Sequence, residues 1–146
     1  MFGSIWLINP TKVLLIEDSS GDAILVRQIM VESPVPLRLS IARDGDQALT
    51  VLADPDFEAA LIILDLDIPK IHGHVVLERN PRQDIPVVIF SGSSNPEDVQ
   101  RALDLGACEY FVKPIDLHAY QVAVLGMIEK WAARHDDSAH GATAAS

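Results

Sequence analysis

The chain has 146 residues, 49% of them apolar and 22% charged, the size and balance of one globular domain, which excludes a mainly disordered or fibrous chain. A formal net charge of -10 argues against direct nucleic-acid binding, which depends on lysine and arginine displacing counterions from a phosphate backbone. No run approaches the ~20 apolar residues that cross a bilayer, and the start lacks the basic residues and cleavage site of a signal peptide, so the expected location is the cytoplasm. Cys108 is the only cysteine; it can form no intrachain disulfide and is expected to pack as a small hydrophobe.

The chain divides into an apolar N-terminal extension over 1–11 (Phe2, Ile5, Trp6, Leu7, Ile8), a domain over 12–134, and a tail over 135–146 whose Ala, Ser, Asp and Gly content predicts disorder. The first strand is predicted from Lys12 to Glu17, because Val13 to Ile16 form a continuous apolar run of the kind covered on both faces. Ser19 and Ser20 can cap a helix from about Gly21 to Glu32 carrying Ile24, Leu25, Ile29 and Met30, stopped by Pro34. Leu37, Leu39 and Ile41 then alternate with polar residues and predict a half-exposed edge strand. Asp44 caps a second helix bearing Ala48, Leu49 and Leu52.

Leu61 to Leu64 is a second buried central strand, running straight into Asp65, Asp67 and Pro69. A short third helix around His74 to Glu78 precedes a strand from Pro86 to Phe90 and then Ser91. Asn95 reads as the N-cap of a fourth helix, with Pro96 as its first residue and Glu97 and Asp98 favourable to its dipole; that helix ends at Gly106. A strand from Tyr110 to Val112 leads into Lys113 and Pro114, and a last helix runs from about Asp116 to Ala133. It places Leu117, Tyr120, Val124, Met127 or Ile128 and Trp131 on one stripe. Ala119, Val122, Ala123, Leu125 and Gly126 make it apolar on a further face, which suggests a homodimer there or through the N-terminal extension.

Strands alternating with helices predict βα units around a parallel sheet, where ligands bind outside the carboxyl ends of the strands. Those ends carry Glu17 and Asp18, then Asp65, then Ser91 and Lys113. Three crowded carboxylates repel one another unless a cation joins them, and an oxygen-only donor set favours Mg2+ over zinc or copper. Such a site suits phosphoryl transfer, where a protein positions groups and neutralises charge. In that chemistry Asp65 is the nucleophile, and Asp18 and Glu17 hold the ion, helped by the Asp67 backbone carbonyl. Lys113 and the Ser91 hydroxyl bind phosphoryl oxygens.

Glu17-Asp18, Leu-Asp65-Leu-Asp-Ile-Pro69, Gly73, Ser91 and Lys113-Pro114, in that order, resemble the receiver domain of bacterial response regulators over roughly Lys12 to Trp131. Ile-Glu-Asp-Ser-Ser-Gly-Asp, Ala-Arg-Asp-Gly-Asp-Gln-Ala-Leu, Asp-Ile-Pro-Lys, Ser-Asn-Pro-Glu-Asp and Tyr-Phe-Val-Lys-Pro further resemble the single-domain members paired with bacterial phytochromes. The resemblance implies an α/β, flavodoxin-like (βα)5 sheet in strand order 2-1-3-4-5, a phosphohistidine donor on a sensor histidine kinase, and a Mg2+ requirement. It also implies a cis Lys113–Pro114 bond and a switch in which Ser91 moves toward the phosphate and Tyr110 turns inward. Such a protein is a phosphoacceptor rather than an enzyme, and acts through protein contacts.

The interval between Asp65 and Ser91 is shorter than the family pattern by about one helical turn, His72 stands where an acid is common and reads as a solvated loop residue, and Asp67 adds negative charge at the mouth of the site. Three other readings stay open. A receiver fold can serve as a docking module without phosphorylation. Leu-Asp65-Leu-Asp67 also resembles the nucleophile motif of a Mg2+-dependent haloacid-dehalogenase phosphatase, but no acidic pair follows the lysine except tail Asp136 and Asp137. An FMN carrier would need a phosphate-cradling loop after the first strand, where acids stand instead.

Overall fold

Short runs of branched apolar residues become strands, and each is followed by a helix that returns the chain to the same end of the sheet. The computed structural model describes residues 9–132; the expectations for the tail and for most of the N-terminal extension lie outside them. Within that span the elements are β1 (Thr11–Ile16), α1 (Ser20–Val31), β2 (Leu37–Ala42), α2 (Gly45–Ala53), β3 (Leu61–Leu64), α3 (Gly73–Arg79), β4 (Val87–Ser91), α4 (Pro96–Asp104), β5 (Glu109–Val112) and α5 (Leu117–Met127), with a π-helical turn over Ile128–Ala132. All strand pairs are parallel and the order is β2-β1-β3-β4-β5, the flavodoxin-like arrangement expected.

The pleat sends alternate side chains to opposite layers. Val13, Leu15, Leu61, Ile63, Val88 and Phe90 meet α1 and α5 in one core, while Leu14, Ile16, Ile62, Leu64 and Ile89 meet α2, α3 and α4 in the other. Two-sided covering explains why β1, β3 and β4 read as unbroken apolar runs, whereas edge strand β2 is only half buried.

Local chemistry sets the helix boundaries. Ser19, Asp44, Asn95 and Asp116 each accept a backbone N–H of the first turn. α4 ends in a Schellman motif: Gly106, at φ +108, donates to Leu103 O and Ala107 donates to Ala102 O. α3 is only seven residues long, which accounts for the short interval between Asp65 and Ser91.

Several expectations need correcting. The buried stripe of α1 is Ala23, Val26, Ile29 and Met30, and Ile24 is 57% exposed; the stripe starts one residue earlier because Ala23 fits where α1 lies against the sheet. Leu117 is likewise exposed, at the first turn of α5 before the helix reaches the core. Cys108 is exposed rather than packed, since its backbone N–H pairs with Val87 O at the start of an edge strand and the side chain is left outside. His72 is exposed but does a job, its Nδ1 accepting the His74 N–H at the start of α3. No peptide bond among the described residues is cis, so Lys113–Pro114 is trans. Both isomers of an X–Pro bond lie within about 1 kcal/mol, and Lys-Pro alone does not choose between them.

Candidate functional site

Aligned strand ends make the crevice. Ile16 pairs with Leu64, Leu64 with Ile89, and Ser91 with Val112, so the residues after β1, β3 and β5 come out side by side. Ladder bonds continue one step beyond the strands and hold them there. Glu17 N–H donates to Ala42 O at 2.9 Å, Asp65 N–H to Ile16 O at 3.0 Å and Lys113 N–H to Ser91 O at 2.8 Å.

The Lys113 ammonium stands at the centre. Its Nζ lies 2.7 Å from Glu17 Oε2, 2.9 Å from Asp65 Oδ2 and 3.3 Å from Asp22 Oδ2. Glu17, Asp65 and Ser91 are buried, whereas Asp18 and Asp67 are exposed at the rim. The remaining oxygens of the acids are also held. Glu17 Oε1 accepts the Ser19 N–H at 3.0 Å, and Asp65 Oδ1 accepts the Asp67 N–H at 3.1 Å.

Charge crowding leaves its mark on proton affinities. Burial, together with the hydrogen bond and charge of Asp65, pushes the Glu17 carboxyl up from 4.5 to about 7 despite the Lys113 ammonium. Burial alone would weaken the Lys113 cation, but Glu17 and Asp65 outweigh it and hold the ammonium protonated well above its ordinary range. Because Glu17 is raised, the folded chain keeps a proton that the unfolded chain releases between pH 4.5 and about 7. The stability this contributes is complete below pH 4.5 and is lost as pH rises through about 7. The metal-free protein is therefore expected to be less stable at about pH 8 than at about pH 5.5, by on the order of 1–3 kcal/mol. Thermal denaturation of Glu17→Gln across the same window checks it, since that variant should lose the slope.

One carboxylate oxygen each from Glu17, Asp18 and Asp65 lies within 4.8 Å of the other two. An all-oxygen set of this kind, two of its three members buried, fits a hard divalent cation. Gly73 makes the neighbouring approach possible: a Cβ there would fall 2.5 Å from Leu66 Cα and 2.9 Å from Asp65 O. Tyr110, half-buried, donates its hydroxyl to Ser93 O at 2.8 Å, and the Ser93 hydroxyl in turn donates to Asp98 at 2.6 Å. The aromatic ring on β5 is thus tied to the loop that leaves Ser91.

The structure brings the carboxylates of Glu17, Asp18 and Asp65 and the ammonium of Lys113 together; Ser91 ends β4 beside them with its carbonyl accepting the Lys113 N–H, Asp67 is exposed, and Tyr110 is tied to the loop after Ser91. The sequence reading missed Asp22 and the role of Tyr120, whose hydroxyl donates to Asp22 Oδ1 at 2.7 Å. Asp22 passes for an ordinary acid of a first helical turn. Tyr120 carried a usable signal: a tyrosine in a core stripe must find a partner for its hydroxyl.

Comparison with known proteins agrees with this geometry. The profile of the response regulator receiver domain matches residues 13–125. Response regulator Rcp1 of Synechocystis sp. (strain ATCC 27184 / PCC 6803 / Kazusa) is 36% identical over 133 residues, covering 84% of this chain and 90% of Rcp1. A probable cyclic di-GMP phosphodiesterase of Vibrio cholerae is 33% identical over 114 residues, of which this chain spans only 25% of the length. Among solved structures, the phosphorylated cyanobacterial phytochrome response regulator RcpA superposes with a TM-score of 0.77 at 32% identity, covering 84% of this chain and 94% of that one. The Mn2+-bound form of Rcp1 superposes with a TM-score of 0.73 at 34% identity, covering 82% and 92%.

Proposed function

This chain belongs to the response regulator receiver family, and we propose on that basis that it is a phosphoacceptor that takes a phosphoryl group from a sensor histidine kinase onto Asp65. The observation that carries the reading is the Lys113 ammonium held 2.9 Å from Asp65 and 2.7 Å from Glu17 at the aligned strand ends. A carboxylate oxygen of Asp65 forms the new bond to phosphorus while the phosphorus–nitrogen bond of the donor phosphohistidine breaks. The bonding pair goes to the imidazole nitrogen, and the product is an aspartyl phosphate. Lys113 and the buried Ser91 hydroxyl bind the oxygens of the arriving group.

Glu17, Asp18 and Asp65, with the Asp67 backbone carbonyl, would hold Mg2+, which when bound neutralises negative charge on the phosphoryl oxygens. A Mn2+-bound Rcp1 and the acidic trio here support that assignment. Ser91 and Tyr110 would carry the switch: Ser91 moving toward the phosphoryl group would pull the loop to which Tyr110 is tied through Ser93. The matches to Rcp1 and to a phytochrome response regulator favour a phytochrome-type kinase as donor, with output through protein contacts.

Intact-protein mass spectrometry after incubation with acetyl phosphate and Mg2+ tests the acceptor reading. The parent is expected to gain one phosphoryl mass and Asp65→Asn none; a parent that gains nothing is a docking module instead. A homodimer through α5 is the natural use of its exposed apolar residues Leu117 and Val122. Light scattering should then give twice the chain mass, with Val122→Glu returning it to one chain.

A further inference from the structure

We propose that Asp22, oriented by the Tyr120 hydroxyl, is a positioning residue that sets where the Lys113 ammonium stands relative to Asp65. The kinetic part of this inference rests on the acceptor reading above; the geometric part does not. Glu17 and Asp65 both draw on Lys113 at short range, and neither leaves it free to follow a phosphoryl oxygen. Asp22 adds a third contact at 3.3 Å, the longest of the three, and competes with Glu17 for the ammonium. Once Asp65 carries the phosphoryl group its own carboxylate charge is gone, and Glu17 and Asp22 then set how far the cation can move toward the phosphoryl oxygens.

Asp22 can do this only if its carboxylate is itself fixed. It sits in the first turn of α1, and its Oδ1 accepts the Tyr120 hydroxyl of α5 at 2.7 Å. That hydroxyl comes from a ring already doing apolar work. Tyr120 is 5% exposed and packs edge-on to Phe90, centroids 4.9 Å apart at 65°. Phenylalanine would serve the packing as well. Burying a hydroxyl has a cost that only a partner offsets, and here the partner is an acid that touches the reactive lysine. Phe90 immediately precedes Ser91 in β4, so the brace that aims Tyr120 belongs to the strand that also delivers the site hydroxyl. The chain Tyr120, Asp22, Lys113, Asp65 thus links the packed ring of α5 to the acceptor through the ammonium.

Two measurements test this with Tyr120→Phe, Asp22→Asn and the double variant. In the metal-free proteins, trace acylation with acetic anhydride, read peptide by peptide, should label Lys113 about fivefold faster in either single variant, with Lys12, Lys70 and Lys130 unchanged as internal references. With acetyl phosphate and saturating Mg2+, the maximal labelling rate of Asp65 should fall about fivefold in either single variant while the acetyl phosphate concentration for half-maximal rate stays the same. The double variant should be no slower than Asp22→Asn, because Tyr120 acts only through Asp22. Parent-like Lys113 acylation in Tyr120→Phe overturns the proposal, as does a double variant slower than Asp22→Asn. A parent that cannot be phosphorylated at all removes the acceptor reading, and the acylation arm then decides the positioning by itself. Tyr120→Phe keeps the ring and its packing, so it reports even if Asp22→Asn folds poorly.

Discussion

Replacing Lys113 with methionine is expected to cost the metal-free protein about 3–5 kcal/mol near neutral pH and to slow phosphorylation of Asp65 by about 10²–10³-fold. The two losses have one origin. The ammonium is the cation that touches Glu17, Asp22 and Asp65 together, its side chain is only 15% exposed, and those of Glu17 and Asp65 are buried beside it. Truncating it leaves acids buried without their partner, which costs more than the pair itself contributes. Glu17 can absorb part of the damage by holding its proton, as it already does up to about pH 7. The destabilisation should therefore be smaller at about pH 5.5 than at about pH 8, and added Mg2+ should restore much of it. Urea denaturation at the two pH values, with and without Mg2+, measures this directly. A uniform loss across pH would mean that the lysine stem, through packing, matters more than its charge.

Gly73→Ala is the second large expected effect, and it acts through shape. The added Cβ would stand 2.5 Å from Leu66 Cα and 2.9 Å from Asp65 O, and backbone atoms cannot swing aside as the end of a side chain can. Either α3 lifts away from the loop or the Asp65–Leu66 segment shifts. Both cost about 1–3 kcal/mol or more, and both move the acceptor relative to Lys113. Acetyl phosphate labelling should fall more than the folded fraction does. Gly126→Ala is the matched control, because a Cβ there meets nothing within 4 Å; in the last turn of α5, where the chain continues into the π-helical turn, it should stabilise by about 0.5–1 kcal/mol and leave labelling unchanged.

Much of the fold was legible because the sheet is covered on both faces. Val13 to Ile16 and Leu61 to Leu64 could be read as central strands without neighbours, and the residues after them had to share one end of the sheet. Glu17, Asp18, Asp65, Ser91 and Lys113 were legible for that reason: each follows or ends a strand. Asp22 and Tyr120 were not, since the bond between them spans 98 residues and depends on how α1 and α5 lie against the same face. The exposure of Ile24 and Leu117 also escaped periodicity, which marks a helical stripe but not where the stripe meets the core. The isomer of Lys113–Pro114 is not legible in the sequence, because nothing local in Lys-Pro enforces either form.

The outward-facing thiol of Cys108 sets a ceiling on covalent assembly. With a single cysteine per chain, oxidation can join copies only in couples, never in strings, and the link would sit at the start of β5, opposite the end of the sheet that bears Asp65. Thiol-coupled pairs come apart with a reducing agent, whereas pairs held through α5 do not. One contact of each kind per chain would build a linear polymer in air that collapses to couples in dithiothreitol, so the redox state of a preparation decides which assembly is weighed.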